Sequence, residues 1–290
     1  MISYFRKPNF VFFGTPEFAA TVLRITGDAG FPPMALVANP DRPVGRKKII
    51  TSPPTKRLVI ERRWPTVIFQ PERPTEITAA LRAMNPDFFV VAAYAKILPR
   101  EIIEIPLRGV IGVHPSLLPL HRGATPIQSV ILVGDKKTGV ALFLIDEKVD
   151  HGPLIASRSL HIAGDDTYVS LHEKLAELGG AMLAETMPLF ARGEITPVPQ
   201  DETKATYTRK FIPEDGLIPF DVLAQAQREG SGALEIERKI RALNPEPGVY
   251  TVLPEGKRMK ILEASVENKK LRITKIQKEG ETPRMRYVSD

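Results

Sequence analysis

The chain contains no cysteine among its 290 residues. It therefore has no disulfide framework, no thiolate nucleophile and no zinc site built on sulfur, and we expect packing alone to stabilise it. Long apolar runs are also missing, since none approaches the roughly 20 residues that cross a bilayer. The N-terminal stretch lacks a signal-peptide cleavage pattern. We expect a soluble, cytoplasmic protein with no membrane partner.

Internal repeats and low-complexity segments are absent as well. At 43% hydrophobic residues the chain can bury a substantial core, which excludes intrinsic disorder, and its length fits one large domain or two ordinary ones. The formal net charge is +6. This excess favours a polyanionic partner, although it also occurs in proteins that bind no nucleic acid.

The first two-thirds of the chain alternates short apolar runs with segments of helical period, which is typical of βαβ units in an α/β fold with a parallel sheet. The predicted strands are Val11–Phe13, Met34–Ala38, Thr66–Gln70, Phe88–Ala93, Val110–Val113 and Val140–Ile145. Thr15–Glu17 predicts a helix start, in which the threonine caps, the proline takes the first helical position and the glutamate faces the positive dipole end. Another helix is predicted to begin near Asp166 or Thr167 and to end before Gly193.

From about Ile195 the residue pattern changes. An extended stretch is followed by a short helical run at Leu234–Leu243 and a proline-rich turn. We therefore predict a large domain over residues 1–195, a linker over 196–212 and a second domain over 213–290. Short alternating segments separated by turns indicate a small β-barrel or meander in that second domain. These segments are Val249–Leu253, Arg258–Glu263, Lys270–Gln277 and Arg284–Val288.

Two predicted strand ends carry residues suited to acyl transfer. The strand Val110–Val113 runs into His114, and the strand Val140–Ile145 is followed by Asp146 and Asp150. Because both strands are expected in the parallel sheet, these side chains are predicted to meet at the edge where open α/β sheets bind ligands. Asp150 would orient the imidazole, and His114 would move protons or stabilise an oxyanion. By spacing alone, the pair is equally consistent with two unrelated polar residues at strand ends.

The amino-acid sequences of several segments are a more specific signal than this spacing. VFFGTPEFA, NPDRPVGRKK, VVAAYAKILP, HPSLLPLHRGATPIQ and IDEKVDHGPLI resemble, in order and spacing, the methionyl-tRNA formyltransferase family, and the resemblance continues through IRALNPEPG to LRITKIQKEGETPRMRY. It implies a Rossmann-like formyltransferase domain with a mostly parallel sheet, followed by a small OB-like barrel that binds tRNA and is apparently shortened here. It also implies transfer of a formyl group from 10-formyltetrahydrofolate, a co-substrate, to the amino group of methionyl initiator tRNA, without a metal.

The resemblance makes His114 the catalytic histidine and Asp150 its carboxylate partner. The family has asparagine two residues before the histidine, and this chain has Gly112 there. Losing an oxyanion-hole donor costs on the order of 10²–10³ in rate. Three interpretations follow: a water or another side chain such as His121 or Gln128 replaces the donor, protonated His114 acts alone, or the protein is catalytically weak.

The family's folate lies between two loops, and the resemblance places this slot at residues on both of them and on the segment after His114. The expected folate-binding residues are Tyr94, Ile97, Leu98, Pro99, Ser116, Leu117, Leu118, Pro119, Asp146 and Val149. Lys96 departs from the expected small or apolar residue and is predicted to face solvent. The alternative for these residues is ordinary packing at strand ends.

A basic, irregular segment lies between two predicted strands and contains Arg42, Arg46, Lys47 and Lys48. A loop of this kind suits a phosphate backbone and the end of an RNA stem. In the resembled family it contacts the tRNA acceptor stem, with Arg46 at the main arginine position. The alternative is a solvated loop.

Two rival functions stay open at this level. One is formylation of another amine, on an amino-sugar nucleotide or glycinamide ribotide, because those enzymes share the HPSLLP-type segment. The other is a catalytically weakened homologue that binds tRNA and folate. We expect a monomer.

Overall fold

The computed structural model describes residues 7–45 and 47–285. Its helices are α1 (Glu17–Asp28), α2 (Pro54–Glu61), α3 (Thr78–Met84), α4 (Arg100–Ile103), α5 (Pro126–Val133), α6 (Tyr168–Ala191), α7 (Phe220–Arg228) and α8 (Ala233–Leu243). Its strands are β1 (Phe10–Phe13), β2 (Ala35–Val37), β3 (Arg42–Val44), β4 (Ile49–Thr51), β5 (Val67–Phe69), β6 (Phe88–Val91), β7 (Val110–His114), β8 (Arg122–Gly123), β9 (Lys137–Leu144), β10 (Leu154–His161), β11 (Tyr207–Thr208), β12 (Tyr250–Val252), β13 (Arg258–Glu267), β14 (Lys270–Lys278) and β15 (Arg284–Met285).

A seven-stranded sheet in the order β10-β9-β7-β6-β1-β2-β5 forms the framework of the N-terminal region. Neighbours from β5 through β7 pair in parallel. Their sequences are nearly continuous apolar runs, such as Phe10–Phe13 and Phe88–Val91, because a parallel sheet is covered on both faces. The predicted α/β class with a mostly parallel sheet is confirmed.

One predicted direction was wrong. Strand β9 runs antiparallel to β7, with Ala141 opposite His114 and Leu144 opposite Ile111. The carboxyl end of β9 therefore lies level with the start of β7, and the carboxyl ends of the two strands do not meet at one edge. Local sequence pattern sets where a strand lies, whereas its direction follows from how the chain returns to the sheet.

The predicted helix starts had different outcomes. Helix α1 begins at Glu17, with Pro16 as the residue before the first turn. Thr15 does not cap it, because its hydroxyl accepts the backbone N–H of Asn39 at 3.1 Å. Helix α6 begins as predicted, where the Thr167 hydroxyl accepts the N–H of Ser170 at 3.2 Å and the Ser170 hydroxyl accepts the N–H of Thr167 at 3.0 Å.

The chain forms two compact units that are discontinuous in sequence. The first comprises residues up to Arg122, Thr138–Leu160 and His172–Tyr207 and holds the seven-stranded sheet. The second comprises Gly123–Lys137, His161–Leu171 and the residues from Thr208 onward. The division at residues 195 and 213 stays a prediction from the sequence.

The second unit contains an antiparallel sheet in the order β12-β13-β14-β15. Helix α8 packs against β13 and α5, and helix α7 packs against β14. All four predicted segments contain a strand, although residues 286–288 of the last one lie outside the described residues. No helix in the described part of the chain is both long and apolar enough to cross a membrane.

Candidate active site

His114 is the last residue of β7 and is 6% exposed. Its Nε2 lies 3.0 Å from the backbone oxygen of His121, and its Nδ1 lies 3.6 Å from Oδ2 of Asp150. A carbonyl oxygen can only accept a hydrogen bond, so Nε2 must carry a proton. Nδ1 is therefore the ring nitrogen that faces the carboxylate. The predicted pairing of His114 with Asp150 is present in the structure.

Asp150 reaches His114 because the loop after β9 folds back. The Leu144 N–H donates to the carbonyl of Pro153 at 2.9 Å, which closes this loop. A Cβ on Gly152 would lie 1.8 Å from the carbonyl oxygen of Leu144, so only glycine permits the close approach. Asp150 itself has a φ of 48°, in the left-handed region that Asp tolerates better than most residues.

Gly112 lies opposite Phe143 of β9 in the sheet register. A Cβ built on Gly112 would lie 2.4 Å from Cε1 and 2.7 Å from Cζ of the Phe143 ring. Phe143 is 3% exposed and packs with Leu118 and Ala141. The space beside Gly112 is thus filled by a side chain without a hydrogen-bond donor. This ring cannot supply the hydrogen bond of the asparagine that was expected at residue 112 from the resemblance.

The segment after His114 is a compact turn. The Ser116 hydroxyl donates to the carbonyl of Leu120 at 2.6 Å, and the peptide bond between Leu118 and Pro119 is cis. His121 then adopts a φ of 57°, which turns its carbonyl toward His114. Of the predicted folate-binding residues here, Ser116 and Leu118 are buried, whereas Leu117 and Pro119 are partly exposed.

The predicted folate loop after β6 divides between core and surface. Tyr94 and Leu98 are 1% and 8% exposed and belong to the core around Phe13 and Phe89. Burial raises the pKa of Tyr94 to about 12. Ile97 is 91% exposed, and Pro99 precedes helix α4. The side chains of Tyr94 and Leu98 therefore stabilise the loop, and a ligand at this surface would meet their backbone.

Lys96 was predicted to face solvent, but its ammonium group binds two backbone carbonyls instead. Its Nζ donates to the carbonyl oxygens of Pro71 at 2.9 Å and Glu72 at 2.7 Å. The ammonium thereby ties this loop to the segment after β5. The loop is held from both sides, by Tyr94 in the core and by Lys96 at the surface.

Asp146 organises the loop that carries Asp150. Its Oδ1 accepts the Lys148 N–H at 2.9 Å, and its Oδ2 lies 2.6 Å from Nδ1 of His151. Val149, between these residues and Asp150, is 61% exposed. Asp146 thus has a structural role in this loop, and Val149, like Ile97 on the other loop, presents apolar surface to the predicted slot.

Sequence reasoning did not identify a buried polar network next to this loop. Arg122 is fully buried, and its guanidinium donates to Gln200, Glu202 and the hydroxyl of Tyr207. The bond to Glu202 raises the pKa of Arg122 and lowers that of Glu202. The only sequence signal was a cluster of polar residues at 200–202, within a stretch expected to be a linker.

The predicted tRNA-binding segment forms the hairpin β3–β4. Arg42 lies 3.5 Å from Glu72, and Lys47 and Lys48 are exposed at the tip, while Arg46 lies outside the described residues. At the base, Asp41 accepts hydrogen bonds from Lys56, Gln70 and Ser52, and the Lys56 ammonium leads the lowering of the pKa of Asp41. The hairpin therefore has an anchored base and a basic tip.

Family models match both parts of the chain. The formyl transferase family matches residues 8–187, and the formyl transferase C-terminal domain matches residues 230–283. The methionyl-tRNA formyltransferase of Marinobacter nauticus is 40% identical over 257 residues, covering 88% of this chain and 79% of the relative.

The chain belongs to the methionyl-tRNA formyltransferase family. Solved structures agree on the fold. The methionyl-tRNA formyltransferase from Clostridium thermocellum, at 19% identity, has a TM-score of 0.60 and covers 95% of this chain and 100% of its own. HypX from Aquifex aeolicus, solved with tetrahydrofolic acid, has a TM-score of 0.64 at 15% identity and covers 97% of this chain and 46% of its own.

Proposed function

We propose that this formyltransferase moves the formyl group of 10-formyltetrahydrofolate onto the amino group of methionyl initiator tRNA in support of translation initiation, with His114 and Asp150 as the catalytic pair. The observation that carries this assignment is the buried imidazole placed between a carboxylate and a backbone carbonyl. The two substrates are inferred from the family to which the chain belongs. We propose that the protein works as a monomer in the cytoplasm.

The reaction needs a proton carrier and an oxyanion donor. The methionyl amine attacks the formyl carbon, and the carbonyl π electrons move onto oxygen to give a tetrahedral intermediate. When the bond from carbon to N10 of the folate breaks, N10 takes a proton and the amine loses one. A histidine whose charged form is stabilised by a carboxylate can serve both the oxyanion and these proton transfers.

His114 offers the oxyanion an N–H donor through Nε2. In the structure this donor is directed at the carbonyl oxygen of His121. The formyl oxygen approaches the same N–H beside the His121 carbonyl, so that the donor serves the oxyanion without movement of the ring. Asp150, beside Nδ1, stabilises the doubly protonated imidazole. Of the three interpretations of Gly112, this favours His114 as the main donor.

The folate fits against the two loops that flank the pair. Ile97 and Val149 are exposed apolar side chains, one on each loop, and a flat pterin requires apolar surface with backbone groups at its edge. We place 10-formyltetrahydrofolate between these two side chains and the turn after His114. The acceptor stem is assigned to the β3–β4 hairpin, with Lys47 and Lys48 on the phosphates, and Arg46 is retained as its predicted main arginine.

Single-turnover formylation with 10-formyltetrahydrofolate and charged initiator tRNA tests this function. We expect His114→Ala to slow transfer by about 10²–10⁴-fold, and Asp150→Ala by about 10²-fold, with tRNA binding retained. His161→Gln, which changes an exposed histidine of the second unit, is the matched control and should transfer at the normal rate.

Two results would contradict the proposal. Absence of formyl transfer by the unaltered chain, despite folate and tRNA binding, would indicate the catalytically weakened homologue. Preferential formylation of an amino-sugar nucleotide or glycinamide ribotide would instead assign a different acceptor.

A further inference from the structure

We infer that Gln200, oriented by the buried Arg122, positions Asp150 against His114, so that the segment 200–207 belongs to the catalytic machinery as a positioning element. This inference deepens the proposed function and rests on it. Neither residue touches the reacting atoms, and their effect passes through Asp150.

The amide of Gln200 holds the turn that carries Asp150. Its Nε2 donates to the carbonyl oxygens of Asp150 at 2.9 Å and Gly152 at 2.7 Å. Asp150 has a φ of 48°, a conformation that costs free energy and persists only when its surroundings fix it. Two hydrogen bonds across this turn supply such a constraint.

Arg122 fixes which way the Gln200 amide points. Its Nη2 and Nε donate to Oε1 of Gln200 at 2.8 Å and 3.2 Å, so the oxygen faces the guanidinium and the NH₂ group must face the loop. The guanidinium is itself held by Glu202 through contacts of 2.9 Å and 2.6 Å and by the Tyr207 hydroxyl at 3.0 Å. A fully buried arginine held this way is a rigid support for the amide.

The same segment also fixes the other partner of His114. The His121 N–H donates to the Thr206 hydroxyl at 2.8 Å, and the Arg122 N–H donates to the Thr206 carbonyl at 2.9 Å. The carbonyl of His121 in turn accepts from Nε2 of His114. Residues 200–207 therefore hold the backbone at both residues, Asp150 and His121, that contact the two ring nitrogens.

Reaction geometry is sensitive to such support. Displacement of a catalytic group by about 1 Å can cost on the order of 10²-fold in rate. The contact between His114 Nδ1 and Asp150, at 3.6 Å, is already longer than a direct hydrogen bond, so a further displacement of the Asp150 backbone would weaken it. Loss of the Gln200 donor should therefore affect the chemical step more than substrate binding.

Gln200→Glu is the discriminating variant, because a glutamate of the same length still accepts from Arg122 but presents no donor to the two carbonyls. We expect kcat to fall about 10- to 100-fold, with KM for both substrates within about twofold. Glu194→Gln, which changes a glutamate paired with Arg192 at the surface, is the control and should leave kcat unchanged.

The effect must pass through Asp150. In an Asp150→Ala background, Gln200→Glu should therefore cost less than about twofold further. An equal loss in both backgrounds, or an unchanged kcat, would overturn the inference. If Gln200→Glu does not fold, Gln200→Met keeps the length without the donor and carries the same expectations. Inactivity of the unaltered chain would instead refute the proposed function, so the two failures are distinguishable.

Discussion

Gly112 and Phe143 form one steric unit across two strands. The Phe143 ring occupies the position that any larger side chain at residue 112 would enter, within 2.4 Å of its Cβ. Introducing asparagine at residue 112 therefore adds a clash along with a hydrogen-bond donor. A test of the missing donor must change both positions.

Gly112→Asn alone should destabilise the protein by about 1–3 kcal/mol through overpacking. Phe143→Ala alone should destabilise it by about 3–5 kcal/mol through the cavity it leaves. We expect the double variant to lose about 1–2 kcal/mol less free energy of unfolding than the sum of the two single losses, as measured by urea unfolding.

The double variant should also transfer the formyl group about 10- to 100-fold faster than the unaltered chain, since it gains an oxyanion donor. Phe143→Ala is the control and should show no gain in rate. If the losses of unfolding free energy are additive, or if Gly112→Asn is as stable as the unaltered chain, the Phe143 ring can move aside at little cost. Packing then does not couple the two residues.

At the scale of elements, local pattern predicted the strands that are buried on both faces. The runs Phe10–Phe13 and Phe88–Val91 are apolar throughout because they lie in the middle of a parallel sheet. The edge strand β10 was not predicted, since its residues Ser157–Ser159 are exposed and carry no apolar period. The direction of β9 was not predictable either, because it is set by pairing between distant segments.

In the candidate site, too, residues in local motifs were predictable from the sequence, whereas contacts between distant segments were not. His114 and Asp150 were predicted, because each follows an apolar run in a familiar motif. The contribution of Gln200 was not, since its partners Asp150 and Gly152 are about fifty residues away in sequence and a polar stretch resembles a linker. The folate-binding roles of Tyr94 and Leu98 rest on the motif and stay predictions, and the burial of both side chains in the core gives them a structural role in the loop as well.

The β3–β4 hairpin should act as an electrostatic element. Lys47→Glu with Lys48→Glu should raise KM for tRNA about 10-fold at low salt and reduce the salt dependence of binding, while KM for folate stays unchanged. The pair Lys136→Glu with Lys137→Glu is a matched control, because these lysines are also adjacent and exposed. Equal effects of the two pairs would indicate attraction by net charge rather than a contact at the hairpin.

Stability against pH is a property of the whole molecule, and His172 contributes to it. Burial lowers the pKa of His172 below its usual 6.5, although Glu17 and Glu173 act in the opposite direction. Between the folded and unfolded pKa values the unfolded chain binds more protons, so stability falls as the pH drops below about 6.5.

We therefore expect the urea midpoint to fall between about pH 7.5 and pH 5.5, and to fall less in His172→Gln. His161→Gln, at an exposed position, should follow the unaltered chain. A pH dependence unchanged by His172→Gln would assign the acid sensitivity to other groups.

The buried Arg122 network has a consequence for how this enzyme can be divided. A fragment that ends at residue 195 retains His114, Asp150 and the strands of the seven-stranded sheet, but loses Gln200, Glu202 and Thr206. Such a truncated chain would leave an arginine buried without its carboxylate, and a split-enzyme pair cut there would have to recover these contacts on reassembly. The smallest autonomous catalytic fragment must therefore extend at least to Tyr207.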